Sequence, residues 1–164
     1  IGHPMVDLAV SVDIDGVAHA PNYRAAEDAL RLHVRVAHLV RRGSGNRLLV
    51  QTAIPDQPVV DSLRSGNPEA FLEDLLAVRR RSGFPPYGQL IALEVDTTID
   101  ARTEVTEILG GVATVLGPAP QGDRVRWLIQ GRDLSEARMR LRRLVGSLRD
   151  RGARVRVDAD PIDL

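Results

Sequence analysis

The sequence predicts a mixed α/β fold in two parts. Three observations predict it. Short runs alternate apolar and polar residues, as half-buried strands do, and longer runs between them repeat their apolar residues at helical spacing. The order of these elements also changes character across a double proline at residues 85–86. Before it, strand, helix and strand follow one another, which favours a parallel pairing. After it, the order is β-α-β-β-α-β.

"MVDLAVSVDID" alternates with a period near two and reads as the first strand. A helix follows in "PNYRAAEDALRLHVRVAHLVRR", with Asn22 as a capping residue, Leu30, Val34, Ala37 and Val40 as its apolar stripe, and Gly43-Ser44-Gly45 as its stop. "RLLVQTAI" is the second strand and Pro55 ends it. "DQPVVDSLRSG" is a short helix. "NPEAFLEDLLAVRRRSG" is a longer one, with Asn67 at its cap, Pro68 at its first position, Gly83 at its end and Phe71, Leu75 and Val78 buried. Pro85 and Pro86 cannot continue a helix, so "SGFPPYG" is a stiff joint.

The pattern restarts at Gln89. "QLIALEVD" is a strand, "DARTEVTEILGGV" a helix, "ATVLGPAP" a short strand, and "DRVRWLIQG" a strand whose parity puts Trp127 with Val125 and Ile129, in the core rather than free to stack a base. "DLSEARMRLRRLVGSLRDRG" is a helix with Asp133 and Glu136 as a capping box and a core stripe of Leu141, Leu144, Val145 and Leu148. "ARVRVDADP" closes the chain as a strand. This second order is the split βαβ arrangement of a ferredoxin-like domain.

The 164 residues suffice for one medium domain or two small ones. Aromatics are only 3%, so the cores must be aliphatic. No apolar run approaches the roughly 18 residues of a membrane span. No secretion signal is visible. Cysteine is absent, which excludes disulfides and thiolate metal sites within these residues and fits a cytoplasmic protein. The chain begins at Ile1, which reads as a fragment or processed product of a longer one.

Net charge is zero, but it is unevenly spread. All 22 basic residues are Arg. Codon usage in a GC-rich genome explains that choice; either way each cation can fork onto a phosphate or carboxylate. From Glu94 to Asp123 six acids face one Arg, whereas from Arg124 to Arg156 eleven Arg face three acids. The second stretch is a candidate footprint for a polyanion. Its densest part is the helix carrying Arg138, Arg140, Arg142, Arg143 and Arg149. Placed opposite the Leu stripe, these read either as a solvated face or as a groove for DNA backbone. Tyr87 reads as joint packing. His3, His19, His33 and His38 lack ligand-like spacing. "DADPID" lacks the loop ligands of a calcium site and reads as a strand end that clamps neighbouring arginines.

"FLEDLLAVRRRSGFPPYGQLIAL", "VLGPAP", "RVRWLIQG" and "VRVDADPIDL" resemble the C-terminal end of the PriA (primosomal protein N′) family of replication-restart helicases. "GHP", "MVDLAVSVDID", "NYRAAEDAL" and "LLVQTAIPDQPVV" are similar to the last part of that family's second RecA-like lobe. The resemblance covers essentially all the chain, in order. It implies residues 1–54 as the end of a RecA-like lobe, 55–88 as a helical connector ending in the FPPY joint, and 89–164 as the family's C-terminal domain. It implies single-stranded or forked DNA, the acidic tail of single-stranded DNA-binding protein and other primosome proteins as partners, and no membrane. Arg132 and Arg138 are the nearest cations for that tail, while Leu134 stands where a basic residue is expected.

The family's ATP-contacting motif, Q-x-x-G-R-x-G-R, is here "RVAHLVRR". Arg35 replaces the Gln, His38 and Arg41 the two Gly, and Leu39 the finger arginine; only Arg42 matches. "IGH" likewise stands in place of Lys-Gly-His. A finger arginine is worth roughly three to five orders of magnitude in rate. The resemblance therefore implies a degenerate lobe with Arg35 and Arg42 as the remnants of nucleotide binding, and a scaffold rather than a motor. An active helicase would need Arg41 or Arg42 to reach the site by a one-turn shift. ATP is expected only in the full-length protein, the family's zinc module lies before this segment, and no cofactor is expected within it. A free-standing RNA-binding or regulatory module is the third reading. It would leave residues 1–54 exposing half a sheet.

Overall fold

A computed structural model describes residues 5–161. His3, the Lys-Gly-His position and residues 162–164 lie outside the described residues. The chain forms two compact units, one reaching Ala77 and one starting at Val78. No described helix is long and apolar enough to cross a membrane.

The first unit contains β1 (Leu8–Ser11), α1 (Ile14–Ala18), α2 (Ala25–Leu39), β2 (Arg47–Val50), α3 (Pro58–Ser65) and the start of α4 (Pro68–Ser82). β1 and β2 pair in parallel, from Leu8 opposite Arg47 to Ser11 opposite Val50, as the strand-helix-strand order requires. The first strand is shorter than its alternation suggests. Asp13 takes a left-handed conformation, and its carboxylate accepts the Gly16 N–H at 3.0 Å, which starts α1 instead. β2 also stops early. Asp15, at the head of α1, accepts the Thr52 hydroxyl and the Ala53 N–H, both at 2.7 Å, and the Gln57 amide. That capture draws the chain out of the ladder.

α2 departs from expectation at both ends. Asn22 does not cap it; its side chain accepts the Arg24 N–H in a turn ahead of the helix, which begins at Ala25. The helix ends at Leu39, before the glycines, because Val40 becomes extended and bridges to Val6. Val6 donates to the Leu39 carbonyl and Arg41 donates to that of Val6, both at 2.9 Å. The apolar stripe is also rotated. Val34 and Ala37 are exposed, and the buried residues are Ala25, Ala29, Leu30 and His33. His33 belongs inside because both ring nitrogens are satisfied. Nδ1 donates to the Ala29 carbonyl and Nε2 bonds the Ser11 hydroxyl, each at 2.6 Å. Ile14, Ala29, Leu30, Val59, Val60 and Phe71 form the core. On α4, Asn67 accepts the Glu69 N–H at 3.2 Å, as a cap should, but Val78 is exposed rather than buried.

The second unit contains β3 (Gln89–Asp96), α5 (Arg102–Leu109), β4 (Thr114–Gln121), β5 (Arg124–Gly131), α6 (Ser135–Asp150) and β6 (Val155–Ala159). The sheet order is β4-β5-β3-β6, antiparallel throughout. Ile91, Leu93 and Val95 of β3 lie across from Ile129, Trp127 and Val125 of β5 and pack against the two helices. Trp127 is buried there, and the whole expected stripe of α6 is buried with it.

Two local expectations differ. β4 runs on to Gln121, through an irregularity between Leu116 and Ala119. Gly117 makes this possible: its φ is 109°, and a Cβ there would stand 2.7 Å from the Arg126 carbonyl oxygen. No capping box forms on α6. Asp133 instead accepts the Ser135 N–H and hydroxyl at 2.9 and 2.6 Å, and Glu136 pairs with Arg140.

Candidate nucleic-acid interface

α6 is positioned by its buried stripe, so its arginines project around the remaining surface. The structure sorts them into two groups. Arg140 is committed: it pairs with Glu136 and donates to the Ile108 carbonyl at the end of α5 at 3.1 Å. Arg149 donates to the Val155 carbonyl at the start of β6, also at 3.1 Å. Arg138, Arg142 and Arg143 are exposed, and the latter two have no ion-pair or hydrogen-bond partner among the described residues. Arg138 lies near Asp133, whose carboxyl is held below its ordinary pKa chiefly by the Ser135 hydroxyl, then by the Ser135 N–H and the Arg138 charge.

A further arginine, Arg151, forks onto Glu104 of α5 at 2.8 and 2.7 Å. Arg140 and Arg151 therefore mark the α5 side of α6, and Arg149 marks the β6 side. Five arginines on one helix do not make one surface.

Arg132 is exposed in the loop after β5 and has no partner among the described residues. The expected basic position beside it, Leu134, is fully buried in the core, while its N–H donates to the Gln89 side chain at 3.1 Å. That position offers nothing to a carboxylate. Asp158 and Asp160 clamp no arginine among the described residues; the Asp160 N–H donates to the Leu90 carbonyl and closes the edge strand.

In the first unit, Arg35 is exposed on α2 and Leu39 is its last residue. Arg41 and Arg42 lie beyond the helix. Arg41 pairs with Asp7 at 3.0 Å. Arg42 lines an open groove of about 810 Å³ whose walls include Val34, Val40, Leu48 and Val60.

One cluster is absent from the expectations. On the face of the sheet turned away from α5 and α6, the Glu94 carboxylate lies 3.4 Å from Arg124 and 3.9 Å from both Arg126 and Arg156. The register places Arg126 and Arg156 directly across from Glu94 on the two neighbouring strands. Strand parity carried that signal in the sequence, but only once the strand order was known. Beside it, Asp96 is buried and its carboxyl is held below the ordinary range, first by the Thr98 hydroxyl at 2.6 Å, then by the Arg154 N–H at 3.0 Å. No group of His, Asp or Glu among the described residues is arranged to hold a metal ion.

Residues 80–162 match the family model described as the primosomal protein N C-terminal domain. The replication restart protein PriA of Synechocystis is 30% identical over 137 residues, covering 74% of this chain and 16% of that protein. The PriA of Thermotoga maritima is 26% identical, covering 70% of this chain and 16% of its own length. The probable PriA of Mycobacterium leprae is 36% identical, covering 71% and 18%. The chain thus spans less than a fifth of the length of these relatives.

Proposed function

The chain belongs to the PriA family of replication restart proteins, and from that premise we propose that it is the DNA-engaging C-terminal part of a scaffold that recognises forked or single-stranded DNA without unwinding it. The observation that carries this reading is the exposed arginine side of α6, where Arg138, Arg142 and Arg143 present guanidinium groups to solvent. Such groups bind the phosphate backbone of single-stranded or forked DNA without reading sequence. The β-α-β-β-α-β order with strand order β4-β5-β3-β6 supports a ferredoxin-like domain. In the first unit, Leu8, Val10 and Leu49 are exposed on a two-stranded parallel sheet. Parallel sheets are normally covered on both faces. That supports reading this unit as the end of a larger RecA-like lobe.

The absence of unwinding rests on Leu39 and on the end of α2. Bringing Arg41 or Arg42 to a nucleotide by a one-turn shift would break the Val6–Val40 bridge and the Arg41–Asp7 pair. We therefore expect ATP to be hydrolysed negligibly by the full-length protein; DNA-stimulated turnover like that of an active helicase would contradict this. Of the partners the resemblance implies, DNA is carried forward, because Leu134 leaves the acidic-tail site without its expected cation. Fluorescence anisotropy with labelled single-stranded DNA tests the interface. Replacing Arg138, Arg142 and Arg143 together by Ala is expected to weaken binding at least tenfold and to lower the salt slope by about 0.7 for each phosphate no longer neutralised. Unchanged binding would return α6 to a merely solvated face.

A further inference from the structure

The last turn of α4 carries Arg79, Arg80 and Arg81, which the α6 interface does not use. Cations at a helix C-terminus complement the macrodipole, which would explain them in isolation. Their surroundings add more. Gly83, at φ +67°, turns the chain off the helix, and the Phe84 N–H donates back to the Arg79 carbonyl at 2.9 Å. The Tyr87 N–H then donates to the Phe84 carbonyl at 3.0 Å. This fold-back lays Tyr87 against Arg80. The Arg80 guanidinium carbon is 4.7 Å from the Tyr87 ring centroid, and its Nη2 donates to the Tyr87 hydroxyl at 3.3 Å.

The same corner gathers the end of β5. The Gln130 side-chain amide donates to the Ser82 carbonyl, next to Arg81. A Cβ on Gly88 would run into the Gly83 carbonyl oxygen and lie 3.2 Å from that of Gly131, so these three backbones touch. Arg132 leaves the sheet one residue later. Arg81 and Arg132, some fifty positions apart in sequence, thus emerge from one joint. Both are exposed, and neither has a partner among the described residues. The acid beside them, Asp133, is occupied by Ser135.

We propose that this corner is a second binding site for single-stranded nucleic acid, with Arg81 and Arg132 on consecutive phosphates and a base stacked on the Arg80 guanidinium plane, which Tyr87 supports from behind. The proposal rests on the DNA-binding reading of the preceding section. Charge supports it, since among the described residues Arg80, Arg81 and Arg132 gather there while Asp133, the acid next to Arg132, is engaged by Ser135. So does the exposed, planar, pre-oriented guanidinium, which suits a base of any identity.

The test uses the whole chain, a labelled oligo-dT and an abasic strand of equal length, over a salt series. The Arg81→Ala/Arg132→Ala variant is expected to bind oligo-dT at least tenfold more weakly, with a salt slope lower by about 1.4, at 0.7 per phosphate. Arg80→Lys is expected to keep the slope but to lose the preference for oligo-dT over the abasic strand. Both residues of the double variant are exposed and without a partner among the described residues, so its melting temperature should match the parent's. If it does not, the Arg81→Gln/Arg132→Gln variant, which keeps the side-chain length without the charge, replaces it and should show the same loss of slope; a full slope in that variant overturns the proposal. Normal binding by the double variant overturns the proposal while leaving the α6 interface standing, and so does loss of an acidic peptide's binding with DNA binding intact. Failure of the unmodified chain to bind DNA overturns both.

Discussion

Asp15 and Asp96 each hold a chain crossing together. Asp15 gathers Ala53, Thr52 and Gln57, and its carboxyl is lowered below the usual range first by the Ala53 N–H, then by the Thr52 hydroxyl. Asp96 does the same for Thr98 and Arg154. A carboxyl whose pKa is lower in the folded than the unfolded chain adds stability above the unfolded value, and loses it as pH falls through the folded one. Melting temperature is therefore expected to be level near neutrality and to fall below about pH 4. Asp96→Asn should lower it at neutral pH and reduce the acid-side fall; an unchanged acid profile would show that Asp96 contributes nothing. Gly88 is the second sensitive residue. Ala there meets the Gly83 carbonyl, and the expected loss is about 1–3 kcal/mol by denaturant titration. His33 shows why some residues were illegible in sequence. Its burial depends on the Ser11 hydroxyl on a neighbouring strand, and helical spacing alone cannot rank an imidazole above Val34 for an inward position.

At the scale of elements, the succession of strands and helices in the second unit and the α6 stripe were legible because each rests on a period. Leu141, Leu144, Val145 and Leu148 sit in the core as spaced, and the alternation of β5 places Trp127 correctly. Trp127→Ala is accordingly expected to cost about 3–5 kcal/mol, measured by urea unfolding. Element ends were less legible, because long-range partners set them. α2 stops where Val40 finds Val6, and β2 stops where Asp15 takes Thr52. The five-arginine face of α6 was legible only as composition. Which guanidinium is spent on the Ile108 or Val155 carbonyl depends on α5 and β6, which sequence spacing does not place.

At the scale of the whole molecule, the boundary between units falls at Ala77/Val78, so the joint belongs to the second unit. A shortened chain starting at Val78 is expected to fold by itself. One starting at Gln89 loses Ser82 and leaves the Gln130 amide without its acceptor, at a cost of about 1 kcal/mol. That corresponds to a melting temperature lower by about 4–8 °C. Equal melting temperatures would mean that the α4 end adds nothing. The central claim, that the arginines of this unit serve a polyanion, is tested most directly by anisotropy of the chain with single-stranded and forked DNA across a salt series. The account predicts binding that weakens with salt, with a log–log slope of about 2 or more, equivalent to three or more phosphates at 0.7 each. No binding at low salt, or a slope near zero, would contradict it.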